Sequence, residues 1–248
     1  MISIEELNQI KNKRRTNLYY EEKEYLQYIF LSAISRYPDN FVFKGGTCLR
    51  ICFEHERASE DLDFNTNLST TEIKKVVEAC LKEFEFLNIR FKMYSEKIFD
   101  GNIRVEVRFE GPLFAEKVSS TNTLKIDFNK GKVKHKIVKV IQKLFSDVPQ
   151  FTIVVLGKKD ILAEKMRALI DRGEPKDLYD VWMLLNEKVE LNKELIFSKL
   201  REEKIKITKL KLPSKEEYTT SLQNLVTVLP PYEQLKEEIG ELFSKLFE

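Results

Sequence analysis

From Ile103 to Phe109 the chain reads Ile-Arg-Val-Glu-Val-Arg-Phe, apolar and charged residues alternating without a break. A strand points successive side chains to opposite faces, so this segment has one buried face and one wet face. A sheet covered on one side is the structure that suits it. Asn88 to Ile98, Asn102 to Glu110, Thr123 to Phe128 and Thr152 to Leu156 also favour β-branched and aromatic residues, with partial alternation. Asp100-Gly101 fits a hairpin turn between two of these segments.

Helical signals flank the strands. Ser3 with Glu6 reads as a capping box opening a first helix. Leu26, Ile29, Phe30 and Ala33 predict a second over Glu21 to Tyr37, ended by Pro38. Phe41 to Phe43 is a short strand, Lys44 to Thr47 a turn, Cys48 to Glu54 a helix, and Leu62 to Phe64 a strand end. Ser69 or Thr70 caps a helix running to about Glu83. From Lys158 the pattern is helical again, with Pro175 at a first helical turn. Further helices are expected over about Asn192 to Glu203, Ser214 to Val226 and Tyr232 to Phe247. The fold class is therefore α+β: a mixed module over 1–157, preceded by N-terminal helices, and a helical module over 158–248.

Composition removes several alternatives. With 248 residues, 42% hydrophobic and 11% aromatic, the chain can bury a sizeable core and is not disordered. Three cysteines make no disulfide framework. Apolar runs such as Tyr25 to Ile34 fall far short of the ~20 residues that a membrane span needs. The opening Met-Ile-Ser-Ile-Glu-Glu lacks the pattern of a signal peptide. A cytoplasmic protein without membrane association is the expectation. The net charge of +2, from 42 basic and 40 acidic residues, selects no partner.

Chemistry concentrates in three places. The first is Lys44-Gly45-Gly46-Thr47 followed by Arg57-Ala-Ser-Glu-Asp61-Leu-Asp63-Phe64. Glycines between a strand and a helix leave backbone N–H groups open to an anion, at the positive end of the helix dipole. Thr47 adds a hydroxyl. Asp61 and Asp63 share a strand face and repel unless a cation sits between them. Mg²⁺ takes a few carboxylates plus phosphate oxygens, so the outline is that of a nucleoside-triphosphate site. Taken singly, Gly-Gly also reads as a plain turn and Asp-x-Asp as a solvated loop. The second place is Asp127, opposite the apolar face formed by Leu124, Ile126 and Phe128. It is a third metal ligand or simply part of a wet face. The third is Lys165 with Asp177 and Asp180, the acids sharing one helix face. They neutralise phosphate charge or form ion pairs between helices. Cys48, Cys52 and His55 have helical spacing but no fourth ligand, and read as buried residues. Basic residues cluster at Lys130, Lys132, Lys134, Lys136, Lys139 and Lys143, at Lys199 to Lys215, and at Lys11 to Arg15. Such patches bind phosphate backbones or are solvated faces.

Lys-Gly-Gly-Thr-x-Leu-Arg, then Arg-x-Ser-x-Asp-Leu-Asp-Phe, then Leu162-x-x-Lys165 with Arg172 and Lys176-Asp-Leu-Tyr-Asp180, resembles the AbiEii/AbiGii toxin family of nucleotidyltransferases. That family belongs to the DNA polymerase β-like superfamily. Where the family commonly has Arg before Asp-Leu-Tyr-Asp, this chain has Lys176. The resemblance spans about Phe41 to Leu185. It implies a small mixed sheet with helices on one side, then a helical domain. It implies Gly45, Gly46 and Thr47 on the triphosphate, Asp61, Asp63 and Asp127 on Mg²⁺ or Mn²⁺, and Lys165, Asp177 and Asp180 completing the nucleotide and catalytic site.

The expected function is transfer of a nucleotide from an NTP to a hydroxyl of RNA, tRNA foremost, by a toxin with a cognate antitoxin or a phage-defence role. Asp127 would help activate the acceptor, and Lys165 would offset charge on pyrophosphate. Two other readings stay open: an NTP-binding toxin or regulator without transfer, and a nucleotidyltransferase with a protein or small-molecule acceptor.

Overall fold

Ser3, Asn17, Ser69, Asn192 and Ser214 each accept a hydrogen bond from the backbone N–H three residues on, and each opens a helix. The computed structural model describes residues 1–131, 133, 135–205 and 210–247. The chain forms two units, Met1–Leu156 and Gly157–Glu248.

The first unit runs α1 (Ile4–Arg14), α2 (Leu18–Ile34), β1 (Phe41–Lys44), α3 (Gly45–Phe53), β2 (Asp61–Thr66), α4 (Thr70–Phe86), β3 (Arg90–Phe99), β4 (Asn102–Glu110), β5 (Asn122–Lys130), β6 (Lys136–Ile141) and β7 (Phe151–Leu156). Its strands form one seven-stranded mixed sheet in the order β3-β4-β5-β2-β1-β7-β6. β2 runs parallel to β5, and β1 parallel to β7; the other pairs are antiparallel.

One face of the sheet carries the core. Leu62 and Phe64 on β2 lie beside Ile126 and Phe128 on β5, all buried. The rings of Phe64 and Phe128 stack 5.4 Å apart. Phe30 of α2 and Phe84 of α4 pack onto this face, against Phe64 and Phe109. The alternation seen in the sequence follows directly: Ile103, Val105, Val107 and Phe109 are buried, while Arg104, Glu106 and Arg108 are half-buried on the other side.

Some local expectations shift. Ser3 caps α1, but the Glu6 carboxylate accepts from Ser146 N and Oγ at 2.7 and 2.6 Å instead of closing a capping box. Asn17 caps α2, which begins at Leu18, three residues before Glu21, and ends at Ile34, ahead of Pro38. In place of the predicted turn at Lys44–Thr47, Lys44 ends β1 and α3 begins directly at Gly45, which has φ +79°. Asp100 and Gly101 both have positive φ, as a tight hairpin requires.

The second unit contains α5 (Lys158–Asp171), α6 (Pro175–Asn186), α7 (Lys193–Glu202), α8 (Lys215–Leu222) and α9 (Tyr232–Phe247). Pro175 occupies the first turn of α6. Leu178, Val181, Leu184, Leu200, Leu222, Leu235 and Ile239 are buried in this unit.

Candidate active site

Strands β1, β2, β5 and β4 lie side by side, and their registers align four charged residues. Lys44 is opposite Asp63, Asp63 opposite Asp127, and Asp127 opposite Arg104. Partners across neighbouring strands share a face, here the face away from the core. Two carboxylates thus stand between two cations. A second row on the same face holds Asp61, Lys125 and Glu106. The repulsion expected between Asp61 and Asp63 is therefore offset by cations built into the sheet.

The glycines approach this row closely. A side chain at Gly45 would overlap the Asp63 carboxylate. A Cβ at Gly46 would lie 2.6 Å from Arg57 Nη2 and 2.9 Å from Ser59 Oγ. The positive φ of Gly45 and the absence of a side chain at both positions bring the start of α3 against β2. Thr47 takes a different part from the one expected. It is fully buried, and its hydroxyl bonds the Asp61 carbonyl and Ser59 Oγ. It ties α3 to β2 instead of facing an anion. The loop entering β2 is also pinned: buried Gln27 donates to the Ser59 and Glu60 carbonyls, and Arg50 to those of His55 and Glu56.

Asp127 is 8% exposed and held by Arg104. Arg104 Nε reaches Oδ1 at 2.7 Å and Nη2 reaches Oδ2 at 3.0 Å, a two-pronged charge-assisted pair. The hydrogen bond to Asp127 holds the guanidinium above its ordinary value, with Asp61 and Asp63 adding to the effect. Among the described residues, no three His, Cys, Asp or Glu side chains gather as a metal-holding group. Asp61, Asp63 and Asp127 thus share a face without forming a closed three-carboxylate cage. Two carboxylates on one strand, beside backbone opened by glycines, suit a hard cation that draws its remaining ligands from phosphate and water.

Lys165, Asp177 and Asp180 come together in the second unit. Lys165 Nζ lies 3.0 Å from Asp177 Oδ1 and 2.7 Å from Asp180 Oδ2. Arg172 Nε adds a 2.9 Å contact to Asp177. Both acids are almost fully buried, so this is an interior network joining α5 to α6 and not a surface ion pair.

A family model described as nucleotidyl transferase AbiEii toxin, type IV toxin–antitoxin system, matches residues 29–245. The chain belongs to the AbiEii family. It is accordingly a nucleotidyltransferase of a type IV toxin–antitoxin toxin family. The fold is similar to that of MenT4, a nucleotidyltransferase toxin from Mycobacterium tuberculosis H37Rv, with a TM-score of 0.70, 16% identity, and coverage of 98% of this chain and 89% of that one. It is also similar to JHP933 from Helicobacter pylori, with a TM-score of 0.60, 20% identity, and coverage of 93% of each chain. A search of curated proteins found no match. No helix among the described residues is long and apolar enough to cross a membrane.

Three residues near the AbiEii motif carry more than sequence reasoning assigned them. Arg57, buried beside Gly46, was legible only as part of a motif. Arg104 read as one more residue on a wet strand face. Lys23 is buried in α2 and donates to the Thr123 carbonyl at 2.7 Å. Burial pushes its ammonium down, against the pull of Glu60 and Asp61. Cys48 and Cys52 are buried free thiols, and burial with the neighbouring Cys52 pushes the Cys48 thiol up.

The basic stretch after Asp127 does not form one strip. Lys130 ends β5, while Lys136 and Lys139 sit on β6, with three strands between them in the sheet. Lys136 and Lys139 are three residues apart on that strand and so point to opposite faces. Lys132, Lys134, Lys206 and Lys209 lie outside the described residues. Arg14 is engaged by Glu21 and Glu24, and Lys199 by Glu164.

Proposed function

We propose that this AbiEii-family chain transfers a nucleoside monophosphate from an NTP to a hydroxyl of RNA, with tRNA the first acceptor to test. In this reading it works in the cytoplasm as a toxin held in check by a cognate antitoxin. The observation that carries the proposal is the alignment of Asp61, Asp63 and Asp127 on one sheet face, directly beside the glycine-opened start of α3.

The roles follow from position. Gly45 and Gly46 let the start of α3 close onto β2, so that the backbone N–H groups at the N-terminus of this nine-residue helix would meet the triphosphate beside the aspartates. Arg57, beside Gly46, adds positive charge there. Thr47 fixes this turn to β2. Asp61, Asp63 and Asp127 would hold Mg²⁺ or Mn²⁺. Once bound, the ion supplies charge at the α-phosphate and acidifies the acceptor hydroxyl. Asp127, next in register to Asp63, accepts the proton of that hydroxyl. The bond from the acceptor oxygen to the α-phosphorus forms, the α–β bridging P–O bond breaks, and pyrophosphate leaves. Lys165, Asp177 and Asp180 enter the proposal through their family motif alone, with Lys165 offsetting pyrophosphate charge.

The test is incubation of purified protein with each α-labelled NTP in turn, Mg²⁺ and total RNA, resolved on a denaturing gel. Label entering an RNA band with one NTP is the expected result. Label entering only protein or small-molecule fractions would replace the acceptor. NTP binding without transfer to any acceptor would overturn the enzymatic reading.

A further inference from the structure

We infer that Arg104 is an internal counter-ion that occupies Asp127 until a divalent metal and nucleotide arrive together, so that the metal is not captured alone. The inference rests on the metal-site reading above and adds a residue which that reading does not use.

Three observations support the exchange. The guanidinium satisfies both Asp127 oxygens, at 2.7 and 3.0 Å, leaving the carboxylate committed to a cation already present. The β4–β5 register runs unbroken from Ile103–Phe128 to Phe109–Asn122, so the backbone holds the two residues opposite each other. The two ends of the pair differ in freedom. The Asp127 side chain is 11% exposed and the Arg104 side chain 43%. Arg104 can swing outward into water, whereas Asp127 stays in place.

Charge gives the exchange its direction. The row Lys44, Asp63, Asp127, Arg104 holds two positive and two negative groups. A divalent cation entering alone makes this row strongly positive and must compete with Arg104 for Asp127. A cation entering with a triphosphate brings its own counter-charge and gives the displaced guanidinium an anionic partner. Metal and nucleotide binding are then coupled through one side chain, a reciprocal linkage.

The experiment measures Mn²⁺ binding to the nucleotide-free protein by calorimetry and by the EPR signal of free Mn²⁺. Arg104→Gln is expected to bind Mn²⁺ about tenfold more tightly than wild type, the scale of a charge-assisted pair. Lys92→Gln removes the same charge from an exposed position on β3, the edge strand two strands from Asp127, and is expected to change affinity less than about twofold because that side chain is solvent-screened. An unchanged Arg104→Gln, an equal rise in both variants, or no Mn²⁺ binding to either wild type or Arg104→Gln would overturn the exchange.

Asp63→Asn separates this inference from the reading beneath it. If Asp63→Asn loses Mn²⁺ while Arg104→Gln matches wild type, only the Arg104 inference fails. If Asp63→Asn binds like wild type, the metal site itself is misplaced. A measurement on the unaltered protein covers the case in which Arg104→Gln does not fold. The Arg104 side-chain Nε–Hε signal, assigned by its loss in Arg104→Lys, is followed by NMR as Mg²⁺ and a non-hydrolysable NTP analogue are added. A shifted or exchange-broadened signal is expected at saturation. A signal unmoved at saturation would show the Asp127 pair intact and overturn the inference.

Discussion

At the residue scale, Gly46 has little room to vary. A Cβ there meets Arg57 and Ser59 at under 3 Å, and a β-branched side chain adds further atoms. Gly46→Val is expected to weaken NTP binding at least about tenfold in calorimetry, as the start of α3 is forced away from β2. Wild-type affinity in a folded variant would reduce Gly45-Gly46 to a turn. Lys165 gives a stability prediction. Its removal leaves Asp180 buried without that ammonium, while Asp177 keeps Arg172. Lys165→Ala should lose about 3 kcal/mol in a urea melt. A loss below about 1 kcal/mol would mean that water reaches the acids. The acids themselves were legible in the sequence, because carboxylates at alternate strand positions share a face whatever the fold. Arg104 was not. An arginine on an alternating strand looks like any wet-face residue until the neighbouring strand's register is known.

At the element scale, the helices were read where caps and apolar periodicity agree. Ser69 and Glu72 form a reciprocal capping box at α4, and Ser214 and Glu217 at α8. Ser69→Ala should cost about 1 kcal/mol in thermal or chemical unfolding. Boundaries moved where a longer-range partner intervened, as when Ser146 took the Glu6 carboxylate from α1. Pairing between strands was not legible. β2 finds its parallel partner β5 across an intervening helix and two strands, and no local pattern encodes that choice. The spread of the basic stretch was hidden for the same reason, since Lys130 lies on β5 while Lys136 and Lys139 lie on β6. The second unit offers a pH test. Tyr218 on α8 is buried and donates to the Pro230 carbonyl at 2.9 Å. Burial, with Tyr179 nearby, pushes its hydroxyl from 10.0 up to about 12. The folded protein therefore holds this proton where the unfolded chain releases it. Stability is fully present below pH 10 and falls as pH rises toward 12. Denaturant melts of wild type and Tyr218→Phe should show wild type losing stability relative to the variant across that window. Parallel curves would contradict the buried placement of the hydroxyl.

At the scale of the whole molecule, the sheet separates two tasks. Its apolar face, covered by α2 and α4, supplies the core, and its polar face presents the charged rows. Substitutions on the polar face should therefore affect chemistry with little effect on folding. Asp61→Ala and Asp63→Ala are each expected to stay within about 0.5 kcal/mol of wild-type stability. If RNA is the acceptor, phosphate contacts will make tRNA binding salt-dependent, weakening about a hundredfold between 50 and 200 mM salt for four contacts. A flat filter-binding series would remove RNA as the acceptor. The most direct test of the central claim compares wild type with Asp63→Asn in single-turnover transfer of an α-labelled NTP, in the presence of Mg²⁺ and the acceptor that wild type labels. The account predicts a rate at least about a thousandfold lower in the folded variant, the scale of losing a principal charge-stabilising group. Transfer by Asp63→Asn within tenfold of wild type would contradict it.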